Sequence, residues 1–379
     1  ATLAQQAFTV RGHDPPGGDS NQVPLARGEG FPMRNKLSIR LIPALAVVAF
    51  LAACAAPAPP PVAEAPPPPP IPAVSLSPRV VEQASAYRAY VARAAAIRPD
   101  FSSGNDVARA VKVGAAYEPV QLLRGAIAFG AVAALQDPDF VAGVRKYAAD
   151  PDQRRTVAYE IMKDPAYAVG FSGSAGAAGL VIAALGEDGQ RLLSVGRSVK
   201  QAAYDVQHSA WSKDNVSGPD GRLALAKQLS STPLLGEITE TARLQTAVNG
   251  HAQLGLSGRS AAAPYTPVVI RALAVAALAA LGYADDAGLA QVMPILAEPA
   301  SATCLSMSKL NLYQCLAVAR PHYEDVFCLG QHVLMDTGHC LMKGAGVTDP
   351  IDDKAKADAL LPVTPVSTST RIRSQPKKR

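Results

Sequence analysis

From Ser77 onward, apolar residues recur at three- and four-residue spacings. Val80, Val81, Ala84, Tyr87, Val91, Ala94 and Ile97 trace the first stripe, which stops at Pro99. This spacing is that of an amphipathic helix. Ser77 followed by Pro78 supplies a capping side chain and a pre-organised first turn. The same pattern predicts helices over 106–117 and 119–135. Three Asp-Pro pairs follow, Asp137-Pro138, Asp150-Pro151 and Asp164-Pro165, and each is expected to open a short helix. There the Asp carboxylate accepts from free N–H groups and faces the positive end of the helix dipole. An apolar run covers 180–185, and a helix with an apolar stripe is predicted over 190–211. Residues 212–221 read as a loop, and 222–231 and 237–248 as helices. The segment 267–284 is apolar apart from Arg271, with many small side chains, and reads as a central helix buried on most faces rather than a membrane span. Helices are also expected over 305–319 and 323–335, broken apart at Arg320-Pro321-His322.

Upstream of this body the pattern changes character. Arg34, Lys36 and Arg40 form a basic flank without acids, and Leu41–Ala53 then runs almost wholly apolar for 13 residues. A basic flank, a short apolar run and small residues at its end make a secretory signal, since a helix crossing a bilayer needs about 20 apolar residues. From Pro57 to Pro72, ten of sixteen residues are proline. Proline lacks an N–H and fixes φ, so the stretch is expected to be an extended polyproline II spacer of roughly 50 Å, at about 3.1 Å per residue.

Composition agrees with a helical body. Hydrophobic residues make up 49% of the 379, charged residues 18% and aromatics 5%, so the apolar content is mostly Ala, Leu and Val. That excludes a wholly disordered chain and favours helices over sheets. The net charge of +5 equals the charge of Arg371, Arg373, Lys377, Lys378 and Arg379. The basic character is therefore a property of the tail, and no nucleic-acid surface on the body is implied.

Leu51-Ala52-Ala53-Cys54 resembles the lipobox of bacterial lipoproteins. The resemblance covers residues 33–54. It implies that the Cys54 thiol is diacylglycerylated, that the peptide is cut before Cys54, and that the new amino terminus is acylated, palmitate being one such acyl chain. Ala55 and Ala56 lack the Asp that favours inner-membrane retention in that family. The implied location is the outer membrane of a Gram-negative cell, with the chain facing the periplasm. Residues 1–32 fit no part of this plan and are expected to be a mis-called extension ahead of Met33. The expected organisation is then a signal peptide at 33–53, a Pro-rich tether at 54–76, an all-helical domain at 77–349 and a disordered basic tail at 350–379.

Cys54 accounts for the odd member of five cysteines. Cys304, Cys315, Cys328 and Cys340 remain, and export to an oxidising compartment makes two disulfides the expectation. The sums 304 + 340 and 315 + 328 share a centre near Pro321, so an antiparallel hairpin over 302–340 predicts nested bonds, Cys304–Cys340 and Cys315–Cys328. Eleven residues of helix bring Cys304 and Cys315 to within about 20° of one face but about 16.5 Å apart, too far to bond each other. The twelve residues from Cys328 to Cys340 are about 120° out of phase, and Gly338 is expected to end that helix and let Cys340 swing back. The plan resembles twin-cysteine helical hairpins, with different spacings. His322, His332 and His339 lie nearby, but Cys spacings of 11, 13 and 12 lack the close pairs of zinc sites.

No motif for chemistry stands out. Ser306-Met307-Ser308-Lys309 matches the Ser-x-x-Lys of penicillin-binding enzymes without its partner motifs. Asp214 and Asp220 lack EF-hand spacing, and Glu160 stands without the motifs of helical wall-cleaving enzymes. No cofactor or metal is called for. The expected fold is all-α, a multi-helix globular domain ending in a disulfide-stapled hairpin. The expected function is non-enzymatic: a membrane-anchored envelope protein with a structural, binding or assembly role and an envelope-protein or cell-wall partner. The alternative is a helical periplasmic enzyme acting on the wall.

Overall fold

The computed structural model describes residues 70–349. Cys54, the lipobox, most of the Pro-rich tether and the basic tail lie outside the described residues. Within them the fold is all-α. The helices are α1 (Pro78–Ala95), α2 (Gly104–Ala115), α3 (Pro119–Ala134), α4 (Pro138–Arg145), α5 (Pro151–Lys163), α6 (Ser174–Asp205) and α7 (Ala210–Lys213). They continue as α8 (Pro219–Ser231), α9 (Ile238–Val248), α10 (Pro267–Leu281), α11 (Leu289–Val292), α12 (Pro299–Val318), α13 (His322–Cys328) and α14 (Asp336–Ala345).

The helix starts are written locally. Ser77 Oγ accepts from Arg79 N, Asp137 from Phe140 N, and Asp150 from Asp152 N and Gln153 N. Asp164 caps in the same way but opens a 3₁₀ segment, Pro165–Gly170, rather than an α-helix. Ser103 and Asp106 cap α2 reciprocally: Ser103 Oγ accepts from Asp106 N, while the Asp106 carboxylate accepts from Ser102 N and from both serine hydroxyls. Those bonds hold Asp106 down at about 2.

Helices α3 and α10 form the centre. In α10 every residue from Val268 to Leu281 is buried except Ile270 and Arg271, and Arg271 donates to the Ile295 carbonyl at 3.2 Å. Small side chains let neighbouring helices approach from all sides, so most of these residues reach the core without a long apolar stem. Helix α1 packs on α3, and α6 packs against α3 and α14. Arg88 on α1 ties these layers together. Its Nη1 lies 2.6 and 2.7 Å from the two oxygens of the buried Asp188 on α6, and its guanidinium stacks 4.7 Å from the Phe129 ring centre on α3.

Several boundaries differ from expectation: α12 begins at Pro299 rather than 305, and the loop expected over 212–221 is shortened by α7 and α8. The segment predicted over 180–185 and most of that over 190–211 belong to one 32-residue helix, α6, which ends at Asp205, while 206–211 falls in a 3₁₀ turn and the start of α7. The body also begins before Ser77: Leu76 is buried, and Ser75 N and Ser77 N donate to the carbonyls of Ala279 and Ala284. Among the described residues no single helix is long and apolar enough to cross a membrane.

Candidate functional site

The stapled hairpin closes the described chain and carries its densest polar chemistry. Cys304 and Cys340 are bonded with Cα atoms 5.7 Å apart, and Cys315 and Cys328 likewise at 5.7 Å. This is the nested pairing of an antiparallel hairpin. The reason it closes differs from the one expected. Gly338 does not end a helix. Instead α13 runs through a π turn, Leu329–Met335, straight into α14, and Cys340 sits within that last helix.

The π turn solves the phase problem. It closes hydrogen bonds to i−5, so it takes in one residue more than an α turn and sets the following helix back by about 100°. The twelve residues from Cys328 to Cys340 therefore turn as eleven do. Both arms then present their cysteines within about 20° of one face. Gly330 and Gly338 repeat the same arithmetic against α6. A Cβ on Gly330 would lie 2.5 Å from Lys200 N and 3.0 Å from Gly196 O, and one on Gly338 would lie 2.7 Å from Gly189 O. These antiparallel contacts pair eight residues on the hairpin with seven on α6, and the π turn absorbs the extra one. The role of Gly338 is close approach.

Inside the hairpin is a buried polar plug. Ser308 Oγ donates to the His332 carbonyl of the π turn at 2.6 Å, and it lies 3.1 Å from Thr337 Oγ1. The Tyr117 hydroxyl reaches Thr337 Oγ1 at 2.8 Å and Ser308 Oγ at 3.3 Å. Burial pushes the Tyr117 phenol up to about 12. Lys309 is 3% exposed. Its Nζ donates to the Ala115 carbonyl at 2.6 Å and stands 3.4 Å from the Tyr117 ring centre. Ala115 O also accepts from Ser230 Oγ and Tyr117 N, so that one carbonyl at the C-terminal end of α2 gathers three donors. Burial drives the Lys309 amine well below the ordinary lysine range, although Glu118 works the other way. The Ser-x-x-Lys match forms no catalytic dyad: Ser306 is exposed and donates to its own helix carbonyl at Ala302.

Arg222 on α8 clamps the hairpin's bend. It pairs with Asp325 at 2.5 Å and also donates to the carbonyls of Leu316 and Ala319, at the end of α12. Burial pushes the Asp325 carboxyl up, against the pull of Arg222. On the outer side of the π turn, Lys200 donates to Gln331 Oε1 at 2.8 Å, and Asp336 accepts from Gln331 and Asn311 and lies 3.0 Å from His332 Nδ1. Burial opposes the charge on Asp336, but hydrogen bonds from His332, Gln331 and Asn311 prevail and hold it below the usual carboxylate range.

The three histidines are held apart by separate partners. His322 lies beside Trp211 with tilted rings 6.4 Å apart, His332 contacts Asp336, and His339 contacts Asp349. Among the described residues no group of His, Cys, Asp and Glu could hold a metal ion. Glu160 lies 3.8 Å from Lys163, and the Asp214 carbonyl accepts from His322 N. Beside the inner disulfide a groove of about 380 Å³ is walled by Tyr204, Val318, Tyr323 and Phe327, with Gln207 and Glu324 as polar groups. Sequence reasoning missed the Arg222 clamp, the buried Lys309 and the π turn. The 120° mismatch between the arms was the signal for the last of these.

Compared with models of known families, with curated proteins and with solved structures, the chain matches none.

Proposed function

We propose that this chain is an acylated envelope protein, anchored through Cys54 in the outer membrane and holding a helical body in the periplasm. Its role there is structural, binding or assembly rather than catalytic. One observation carries the reading: Leu51-Ala52-Ala53-Cys54 stands at the end of a 13-residue apolar run with a basic flank, and a proline-rich spacer follows at once. Two or three acyl chains give stable anchoring where one does not. The disulfides support the compartment, because such bonds persist outside the reducing cytoplasm. The body also reads as a scaffold. Its buried polar groups are spent on joining helices, as Arg88 joins α1 to α6 and Arg222 joins α8 to both arms of the hairpin.

The test is Cys54→Ser expressed in a Gram-negative envelope with a labelled fatty acid. The expected result is loss of acyl incorporation and a changed fractionation of the chain. Unchanged labelling and fractionation would refute the anchor. Crosslinking and affinity capture of the mature chain from its own envelope then identify the partner, and recovery of a defined envelope protein or wall fragment is the expected result.

A further inference from the structure

Helix α12 has an uncharged outer face. Thr303, Met307, Leu310, Gln314, Ala317 and Val318 are exposed at spacings of three and four, so they form one stripe along the helix. Val318 is 74% exposed and Met307 47%. The only charged residue among the 20 of α12 is Lys309, and it points inward. The stripe therefore carries no formal charge over about 22 Å of helix.

We propose that this face pairs with the same face of a second copy, about a two-fold axis running along α12. In such a pair each central side chain meets its own counterpart. A charge on the stripe would face a like charge and be repelled, and an uncharged stripe avoids this. The flanks complete the match. Lys227 lies 5.9 Å from the Tyr313 ring on one side, and Asn311 donates to Asp336 at 3.4 Å on the other. Residues 311 and 313 are about 200° apart around the helix and differ by only about 3 Å in height. The two charges thus flank the stripe on opposite sides at one level. Parallel pairing brings the Lys227 flank of one copy onto the Asp336 flank of the other, whereas antiparallel pairing would bring each flank against itself. A single helix face falls short of the roughly 800 Å² per partner of a standard stable interface, so the association is weak and reversible. A lipid surface would favour a rim of several bases around the apolar stripe, and this stripe has Lys227 on one side and a carboxylate on the other.

The test uses the full chain with Cys54→Ser, which removes the acylation site. Sedimentation velocity across a concentration series is expected to show a monomer–dimer equilibrium. Leu310→Glu, which sets a carboxylate against its own copy, is expected to weaken it roughly tenfold or more. Val318→Lys checks the result at a more exposed position, and unchanged melting of both variants shows that folding is intact. Thr303→Cys, Leu310→Cys and Ala317→Cys, each treated with a short bismaleimide, place reporters at seven-residue intervals. Parallel pairing crosslinks all three. A monomer at every concentration, crosslinking at one level only, or dimers indifferent to Leu310→Glu would each overturn the proposal. So would a stripe that binds phosphatidylglycerol vesicles through Leu310 without forming dimers.

Discussion

If the π turn is a one-residue insertion that keeps two sets of rungs in phase, then removing one residue from it should leave the hairpin intact. Deleting His332 turns Leu329–Met335 into ordinary α-helix. Cys328 and Cys340 are then eleven residues apart, about 1100° of turn, matching the eleven residues from Cys304 to Cys315. Gly330 and Gly338 become seven apart, like Gly189 and Gly196. The losses are the His332–Asp336 contact and the bond from Ser308 to the His332 carbonyl, about 1–2 kcal/mol together. The control is deletion of Met307, an exposed residue on the other arm. It leaves ten residues between Cys304 and Cys315, about 80° off the common face. One bridge must then open or strain. The outer bridge spans 36 residues and the inner 13, and loop-closure entropy values them at about 3.8 and about 3.0 kcal/mol. For a body of this size, at about 2.1 cal/mol/K of unfolding entropy per residue, that loss is a melting shift of roughly 5–7 °C. Thiol counting under denaturing, non-reducing conditions and thermal melts read both variants. The expected outcome is a fully bridged His332 deletion melting within a few degrees of the parent, and free thiols with a much lower melting point for the Met307 deletion. Equal damage from both would refute the phase argument.

Other consequences can be checked alongside. Lys309→Met removes a buried amine whose folded-state pKa lies well below its unfolded value. Between those two values the unfolded chain binds more protons, so parent stability rises with pH up to about 10.4, while below the folded-state value the full penalty of burying the charge applies. The Met variant should be the more stable at neutral pH and lack that slope, and denaturant midpoints at a series of pH values decide it. Asp188→Ala strands the Arg88 guanidinium between α1 and α6 and is expected to cost about 3–5 kcal/mol by denaturant titration. Replacing both partners with apolar residues should recover much of that loss. Gly338→Ala places a Cβ 2.7 Å from Gly189 O and 2.8 Å from Leu193 N. Both are backbone atoms that cannot swing aside, so the overpacking cost of about 1–3 kcal/mol exceeds the gain of about 1 kcal/mol in helix propensity. A stabilised Gly338→Ala would show that α6 and the hairpin are not in backbone contact.

The legible parts of this fold are those set by local rules. Ser77, Asp137 and Asp150 announce helix starts because a cap needs only its own next two or three residues. The all-apolar run of α10 announces a central helix because no exposed face could carry it. The misread parts depend on what lies across the interface. Gly186-Glu187-Asp188-Gly189 has the composition of a loop, yet it lies in mid-helix. The glycines admit Val347 and the backbone at Gly338, and Asp188 is neutralised by Arg88 a hundred residues away. Gly338 was misread in the same sense, as a chain breaker where the structure uses its missing side chain. The hairpin shows where the two kinds of information meet. Pairing of the cysteines about Pro321 follows from spacing alone. The twelve-residue arm then contradicts a regular helix by 120°, and two local resolutions exist, a break or an inserted residue. Only the second keeps Gly330 and Gly338 against α6 while Cys340 reaches Cys304. Phase errors between paired arms of a stapled hairpin therefore point to π turns when a second set of small residues shares the same one-residue excess.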